Sequence, residues 1–309
     1  MLKVVITANK VSEVDTEAIT MLKSAGFLVE EYPDAALYTK EKLKDILKDA
    51  DAVIAGLEPY TKEVIQDMPK LKIIARRGVG IDAIDQEAIR ERGIALTRTE
   101  GCVEDAVSDL VMAYILEHAR NISMHNREMK QGIWAYHIGT GLKGKTLGII
   151  GFGGIGKATA SRANAFGMRV VCYHRHSDPV AEKQYQAEYV DIDSLLAQSD
   201  YISVSVPLNP ETKYLINKST FERMKASAIL INTARGGVVN TEDLVHAIKS
   251  GQIAGACIDV FEQEPCTDSP LMEFDNVILT PHIGTFTTET FTAMNNHCAN
   301  SIINYFKDK

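Results

Sequence analysis

Three short segments in the second half of the chain set charged side chains among loop-forming residues, each directly after an apolar run. They are Ile231-Asn232-Thr233-Ala234-Arg235-Gly236-Gly237, Asp259-Val260-Phe261-Glu262-Gln263-Glu264-Pro265 and Thr280-Pro281-His282-Ile283-Gly284. In an open α/β sheet the ligand crevice lies outside the carboxyl ends of the strands, so all three are expected to point into it. A guanidinium there can hold a carboxylate bidentately, and an imidazole can exchange a proton near neutral pH. A fourth segment, Gly151-Phe152-Gly153-Gly154-Ile155-Gly156, fits the pattern G-x-G-x-x-G. The first glycine permits a tight turn, the second lets a pyrophosphate approach the backbone, and the third lets helix and strand pack closely. Thr146-Leu147-Gly148-Ile149-Ile150 before it reads as a strand and residues 157–166 after it as a helix, the context that marks a dinucleotide-binding loop. Phosphates would sit on the free N–H groups at the start of that helix.

The residue that reads the adenosine ribose is expected about 20 positions later, at the end of the next strand. That strand, Arg169-Val170-Val171-Cys172-Tyr173, ends in His174-Arg175-His176, with no carboxylate. Arg175 can pair with a ribose 2′-phosphate through charge-assisted hydrogen bonds, so the cofactor is expected to be NAD(P), with NADP slightly favoured. The alternative is that Arg175 stacks on the adenine of NAD and His174 is merely polar.

Positioning such loops requires alternating strands and helices. Apolar runs at Val4-Val5-Ile6, Phe27-Leu28-Val29, Ala52-Val53-Ile54-Ala55, Ile73-Ile74-Ala75 and Ile94-Ala95-Leu96 alternate with helix-like stretches. This predicts a parallel sheet with crossover helices. A long helix over 104–120 follows, with Val107, Leu110, Val111, Tyr114 and Ile115 at helical spacing. A second series has strands at 147–150, 169–173, 201–206, 229–232, 254–258 and 276–280, and a helix over 288–306 closes the chain and packs back on the first series. The fold class is α/β, with boundaries drawn at 1–98 plus 283–309 for a discontinuous first domain and at 99–282 for the nucleotide-binding domain.

The glycine loop, Ala234-Arg235-Gly236, Asp259-Val260-Phe261-x-x-Glu264-Pro265 and Pro281-His282-x-Gly284, in this order, resemble the D-isomer-specific 2-hydroxyacid dehydrogenase family. Within it the chain looks most like the short phosphoglycerate dehydrogenase-type members, whose substrate loop is similar to Gly78-Val79-Gly80-Ile81-Asp82, and no regulatory domain is expected after the core. The resemblance implies a Rossmann nucleotide-binding domain, a flavodoxin-like substrate-binding domain and a hinge joining them. It also implies site roles. Arg235 holds the substrate carboxylate and polarises the adjacent carbonyl, His282 is the acid/base, and Glu264 orients His282 and favours its protonated form. Asp259 lies near the nicotinamide amide, Pro207, Thr233 and Ala234 line the cofactor, and the backbone of Val79 and Gly80 holds the substrate carboxylate. Arg76 matches an arginine near a substrate phosphate. The family forms dimers through the segment equivalent to 104–134, so a homodimer is expected.

The first domain departs from the phosphoglycerate pattern. Gly56-Leu57-Glu58-Pro59-Tyr60 stands where such enzymes often carry a second arginine, and Glu58 would repel a phosphoester if it faced the pocket. Arg98-Thr99-Glu100-Gly101 replaces the usual Asn-Thr-Pro-Gly, and Arg98 could itself be an anion ligand. The leading expectation is D-3-phosphoglycerate dehydrogenase. The alternatives are a hydroxypyruvate or glyoxylate reductase, a dehydrogenase for phosphite or formate, and a non-catalytic nucleotide-sensing corepressor-like protein. Retention of Arg235, Glu264 and His282 favours catalysis.

With 33 basic against 41 acidic residues the net charge is −8, which argues against a non-specific nucleic-acid binder. No run of 18 apolar residues exists, so no membrane span is expected, and the N-terminal apolar run is too short and wrongly flanked for a signal peptide. The cysteines, Cys102, Cys172, Cys257, Cys266 and Cys298, are odd in number and show no CxxC spacing. Neither a disulfide framework nor a metal site is expected, and a reducing cytoplasm fits. His125, His137 and His297 read as polar surface, and Trp134 and Tyr136 as packing or subunit-contact residues.

Overall fold

A computed structural model describes residues 1–33, 35 and 38–307. The chain divides into two compact units, Met1–Val103 with Thr285–Lys309 and Glu104–Gly284. Residues 308 and 309 of the expected 283–309 segment lie outside the described residues.

The first unit runs β1 (Lys3–Ile6), α1 (Val11–Val14), α2 (Glu17–Ser24), β2 (Leu28–Glu31), α3 (Lys40–Leu47), β3 (Ala52–Ala55), α4 (Lys62–Gln66), β4 (Ile73–Arg76), α5 (Gln86–Glu91) and β5 (Ala95–Arg98). Among the described residues its sheet has five strands in the order β2-β1-β3-β4-β5, all parallel. This is the flavodoxin-like order, with the switch point between β1 and β3.

The second unit opens with α6 (Glu104–Arg120) and α7 (Ile122–Lys130). Asn121, left-handed at φ 52°, breaks the helical path between them, a break that the apolar spacing does not reveal. There follow β6 (Thr146–Ile150), α8 (Gly154–Ala165), β7 (Arg169–Tyr173), α9 (Pro179–Gln184), β8 (Ala187–Tyr189), α10 (Ile192–Gln198), β9 (Tyr201–Val204), α11 (Lys218–Phe221), β10 (Ile229–Asn232), α12 (Thr241–Lys249), β11 (Gly255–Ile258) and β12 (Val277–Leu279). The parallel sheet order is β12-β11-β10-β9-β6-β7-β8, which is the doubly wound nucleotide-binding order with one strand added at an edge. The chain then returns to the first unit as α13 (Thr288–Lys307), which packs on α2 and β4.

Strands β3, β4, β6, β9, β10 and β11 are buried along their whole length, which is why they read as continuous apolar runs rather than as alternation. Among the described residues each unit has two apolar clusters. In the first they gather around Val53, Ile74, Leu47 and Tyr60 and around Ile54, Ile73, Leu22 and Ile302. In the second they gather around Val111, Ile149 and Ile231 and around Ile150, Val204 and Leu230.

The unit boundaries differ from 98/99 and 282/283 for local reasons. Thr99 is held to the first unit by paired bonds with Gly78, its N–H donating to the carbonyl at 3.2 Å and its hydroxyl accepting from the Gly78 N–H at 2.9 Å. Ile283 and Gly284 are held to the second by the Asp259 carboxylate.

Candidate active site

The turn from β6 into α8 shows why three glycines stand in it. A Cβ on Gly151, at φ +100°, would lie 2.5 Å from the Ser205 carbonyl oxygen, and one on Gly156 would lie 2.3 Å from the Gly151 carbonyl oxygen. Both positions are closed by packing. Gly153 is open, with nothing within 4 Å of where its Cβ would be. It is the N-cap of α8 and supplies no side-chain cap, and the start of a helix favours an anion. Gly154 and Ile155 begin the helix. Farther along the same sheet edge, the Thr233 hydroxyl is buried without a hydrogen-bond partner. An open glycine at a bare helix start and an orphaned hydroxyl at a nearby strand end fit a dinucleotide with its pyrophosphate on α8. The Pro207 carbonyl accepts a bond from the Thr212 hydroxyl at 2.6 Å, and the Ala234 N–H donates to Asn232 Oδ1 at 3.1 Å, so both loop positions are fixed.

At the end of β7, His174 is largely enclosed. Its Nε2 lies 3.2 Å from Glu182 Oε1, and its ring packs on Phe152 and edge-on to Tyr189. Sequence reasoning misses Glu182 because that side chain reaches back from α9. Arg175, by contrast, is 65% exposed and pairs with Glu211.

A carboxylate–imidazole pair is assembled from two strand-end loops. His282 Nδ1 lies 2.7 Å from Glu264 Oε2, while Glu264 Oε1 accepts from the Phe261 N–H at 2.9 Å. Burial pushes the Glu264 carboxyl up, but His282, the Phe261 N–H and the charge of Arg235 outweigh it and hold the group below the usual carboxylate range. Arg235 follows β10 and donates from Nη1 to the Ala234 carbonyl at 2.7 Å. Gly236 behind it permits close approach: a Cβ there would lie 1.9 Å from the Phe261 carbonyl carbon. That contact sets the Arg235 loop directly against the loop carrying Glu264.

His282 has φ +56°, a left-handed backbone that costs a non-glycine residue about 1–3 kcal/mol. Asp259 supplies what holds it. Its carbonyl accepts from the His282 N–H at 2.8 Å, and its carboxylate accepts from the Ile283 N–H at 2.8 Å and the Gly284 N–H at 2.9 Å. The Thr280 hydroxyl also donates to this carboxylate and in turn bonds the Tyr114 hydroxyl of α6. Burial raises the Tyr114 hydroxyl well above its ordinary value, which keeps it neutral. Asp259 is 1% exposed, with both oxygens engaged by the loop that carries His282. The carboxylate thereby positions the His282 turn. In the sequence Tyr114 is visible only as an apolar helix position, which conceals the part its hydroxyl takes in this chain of bonds.

The charged strand ends of the first unit are arranged differently. Arg76, at the end of β4, donates from Nε to the Gly80 carbonyl at 3.0 Å and from Nη1 to the Arg77 carbonyl, bracing the loop that presents Val79 and Gly80. Arg77 lies under the loop, between Asn9 at 2.6 Å and Asn295 at 3.5 Å, with its guanidinium over the Phe291 ring. Burial pushes Arg77 down to about 10. Glu58 is 1% exposed and accepts from the Gly56 N–H, the Tyr60 hydroxyl and the Thr7 hydroxyl. Arg98 pairs with Glu100. Arg76 thus braces the loop that carries Val79 and Gly80, and Glu58 is folded inward.

Together, a phosphate-binding helix start and an arginine with a carboxylate–imidazole pair on neighbouring strand ends define a nicotinamide-dependent oxidoreductase acting on a small carboxylic acid. Residues 112–284 match the D-isomer specific 2-hydroxyacid dehydrogenase, NAD binding domain family. The chain is 43% identical over 289 residues to the glyoxylate reductase of Thermococcus litoralis, covering 90% of this chain and 87% of that one. It is 41% identical over 257 residues to the hydroxypyruvate reductase of Thermotoga maritima, covering 81% and 83%. The crystal structure of a glyoxylate reductase from Paecilomyes thermophila superposes with a TM-score of 0.86 at 31% identity, covering 97% and 94%. The chain belongs to the D-isomer-specific 2-hydroxyacid dehydrogenase family and is an NAD(P)-dependent oxidoreductase of 2-hydroxy acids.

Proposed function

We propose that the protein reduces glyoxylate and hydroxypyruvate, to glycolate and D-glycerate, rather than oxidising phosphoglycerate. The observation that carries this reading is the state of the first-unit charges: Arg76 and Arg77 are engaged by their own loop and core, and Glu58 is buried, so none is set to receive a phosphoester. The names of the relatives point the same way. Initial rates with glyoxylate, hydroxypyruvate, 3-phosphohydroxypyruvate and pyruvate test it. Hydroxypyruvate or glyoxylate is expected to give the highest kcat/KM, and a preference for the phosphorylated acid would overturn the reading.

A reduced nicotinamide dinucleotide, with its pyrophosphate held at the start of α8, would supply hydride for the carbonyl carbon. His282 gives its Nε2 proton to the carbonyl oxygen, so that 2-oxo acid, hydride and proton become the 2-hydroxy acid. Glu264 holds the imidazole by Nδ1 and so fixes the orientation of its Nε2. Arg235 is the proposed partner of the substrate carboxylate in the second unit, and the main-chain groups of Val79 and Gly80 are the proposed carboxylate contacts in the first. Arg175, exposed and tied to the surface carboxylate of Glu211, supports a preference for NADPH. Side-by-side assays with NADPH and NADH check this, and equal or faster turnover with NADH would remove the preference. Residues Ile122, Met129, Ile133, Trp134, Tyr136 and Ile138 are large, apolar and exposed, which supports a homodimer. Light scattering is expected to give about twice the chain mass of 34.0 kDa. No helix of the described residues is long and apolar enough to cross a membrane.

A further inference from the structure

Helix α7 buries none of its residues, yet one of its charged side chains, Glu128, is only 21% exposed. What covers it is His137, whose Nε2 lies 2.9 and 2.8 Å from the two Glu128 oxygens. His137 sits in an extended stretch after α7 that is steered back toward the helix. Gly139 passes so close to the end of α6 that a Cβ would lie 2.2 Å from the Ala119 carbonyl oxygen, and the Thr140 N–H donates to that same carbonyl at 2.8 Å. His125 stands one turn before Glu128 on the same helix face, and its ring lies 5.1 Å from that of His137. One ligand atom from each of His125, Glu128 and His137 can be chosen so that all three lie within 4.8 Å of one another.

We propose that His125, Glu128 and His137 form a binding site for a divalent transition metal of the zinc or nickel class. Bonds of about 2 Å to imidazole nitrogen and carboxylate oxygen require ligand atoms about 3–4 Å apart, so side-chain adjustments of about 1 Å complete the site. Two neutral imidazoles and one carboxylate suit zinc, nickel or copper and are poor ligands for magnesium or calcium. All three groups are half-buried, which leaves room for water as a fourth ligand. Two ligands come from α7 and the third from the extended stretch, so the metal pins the exposed residues Trp134, Tyr136 and Ile138 to the helix. Sequence spacing conceals the site, because i and i+3 on one helix and a histidine farther along the chain match no common ligand pattern.

Trp134 is the chain's single tryptophan and lies on the same extended stretch, just before His137, so its fluorescence reports on the site. Tag-free, chelator-treated protein is titrated with Zn²⁺ and with Ni²⁺ by calorimetry and by tryptophan emission, with Mg²⁺ as control. One equivalent of Zn²⁺ per chain is expected, with a saturable change in emission and no response to Mg²⁺. His137→Ala and His125→Ala are expected to abolish the change and weaken binding at least about tenfold, and Glu128→Gln, close in shape, to weaken it similarly. Circular dichroism and metal-free melting establish that each variant is folded, and Glu128→Gln serves alone if a histidine variant is not. Absence of saturable Zn²⁺ binding overturns the proposal, as does binding or emission change that persists unaltered in the folded variants.

Discussion

The two sheets end in loops of similar composition that use charge in opposite ways. At the carboxyl edge of the second-unit sheet, His282 and Glu264 pair with each other while remaining more than a quarter exposed. At the matching edge of the first, Arg76, Arg77 and Glu58 are almost wholly buried and bonded to main chain, amide and hydroxyl groups. Charged side chains pair with each other where the edge stays open and build a scaffold where the fold closes over them. Asp259 shows that the division is local. It stands on the same strand-end loop as Glu264, yet its carboxylate holds the backbone of the histidine turn while that of Glu264 holds the imidazole.

Substitutions on the two edges separate these uses. His282→Ala and Arg235→Gln are expected to have the largest effects, lowering kcat/KM about 10³-fold while nicotinamide binding stays within about twofold. Steady-state rates and cofactor fluorescence titration check this, and a comparable loss of cofactor affinity would make these residues structural. Glu264→Gln is expected to lower kcat about 10–100-fold, since the imidazole keeps a hydrogen-bond partner but loses a charge. Because the folded-state value of Glu264 is depressed, its share of stability is present above the ordinary carboxyl value and is lost as pH falls through the lowered one. The Tm gap between wild type and Glu264→Gln should therefore be full above about pH 5 and shrink in more acidic buffer. A gap that widened on acidification would contradict the assignment. The smallest catalytic effect belongs to the buried edge. Arg77→Met is expected to cost about 2 kcal/mol by removing the partner of Asn9 and Asn295, read as several degrees in Tm, with KM for glyoxylate changed by less than about threefold. A large rise in KM with unchanged Tm would place Arg77 among the substrate ligands.

Much of the second unit is legible in the sequence because its site residues follow apolar runs closely and their motifs are short and local. The glycine loop, the arginine turn and the histidine turn all lie where strand ends put them. The boundaries of α6 can be read from spacing alone, as can most of α13. What stays hidden depends on tertiary burial. Nothing in the order of residues shows that Arg77 meets Asn295 from the closing helix, or that Glu58 turns inward toward Thr7. Nor does spacing show that Asp259 satisfies the N–H groups of the loop after the next strand, or that His137 returns to Glu128. Long-range hydrogen bonds have no periodicity, so a pattern-based reading misses them.

The left-handed backbone at His282 has a consequence for any attempt to improve this protein. Glycine would adopt that conformation without strain, so a laboratory selection scoring heat tolerance alone has reason to replace the proposed proton donor. Robustness and turnover compete at a single codon here, and a screen must reward both to keep the enzyme an enzyme.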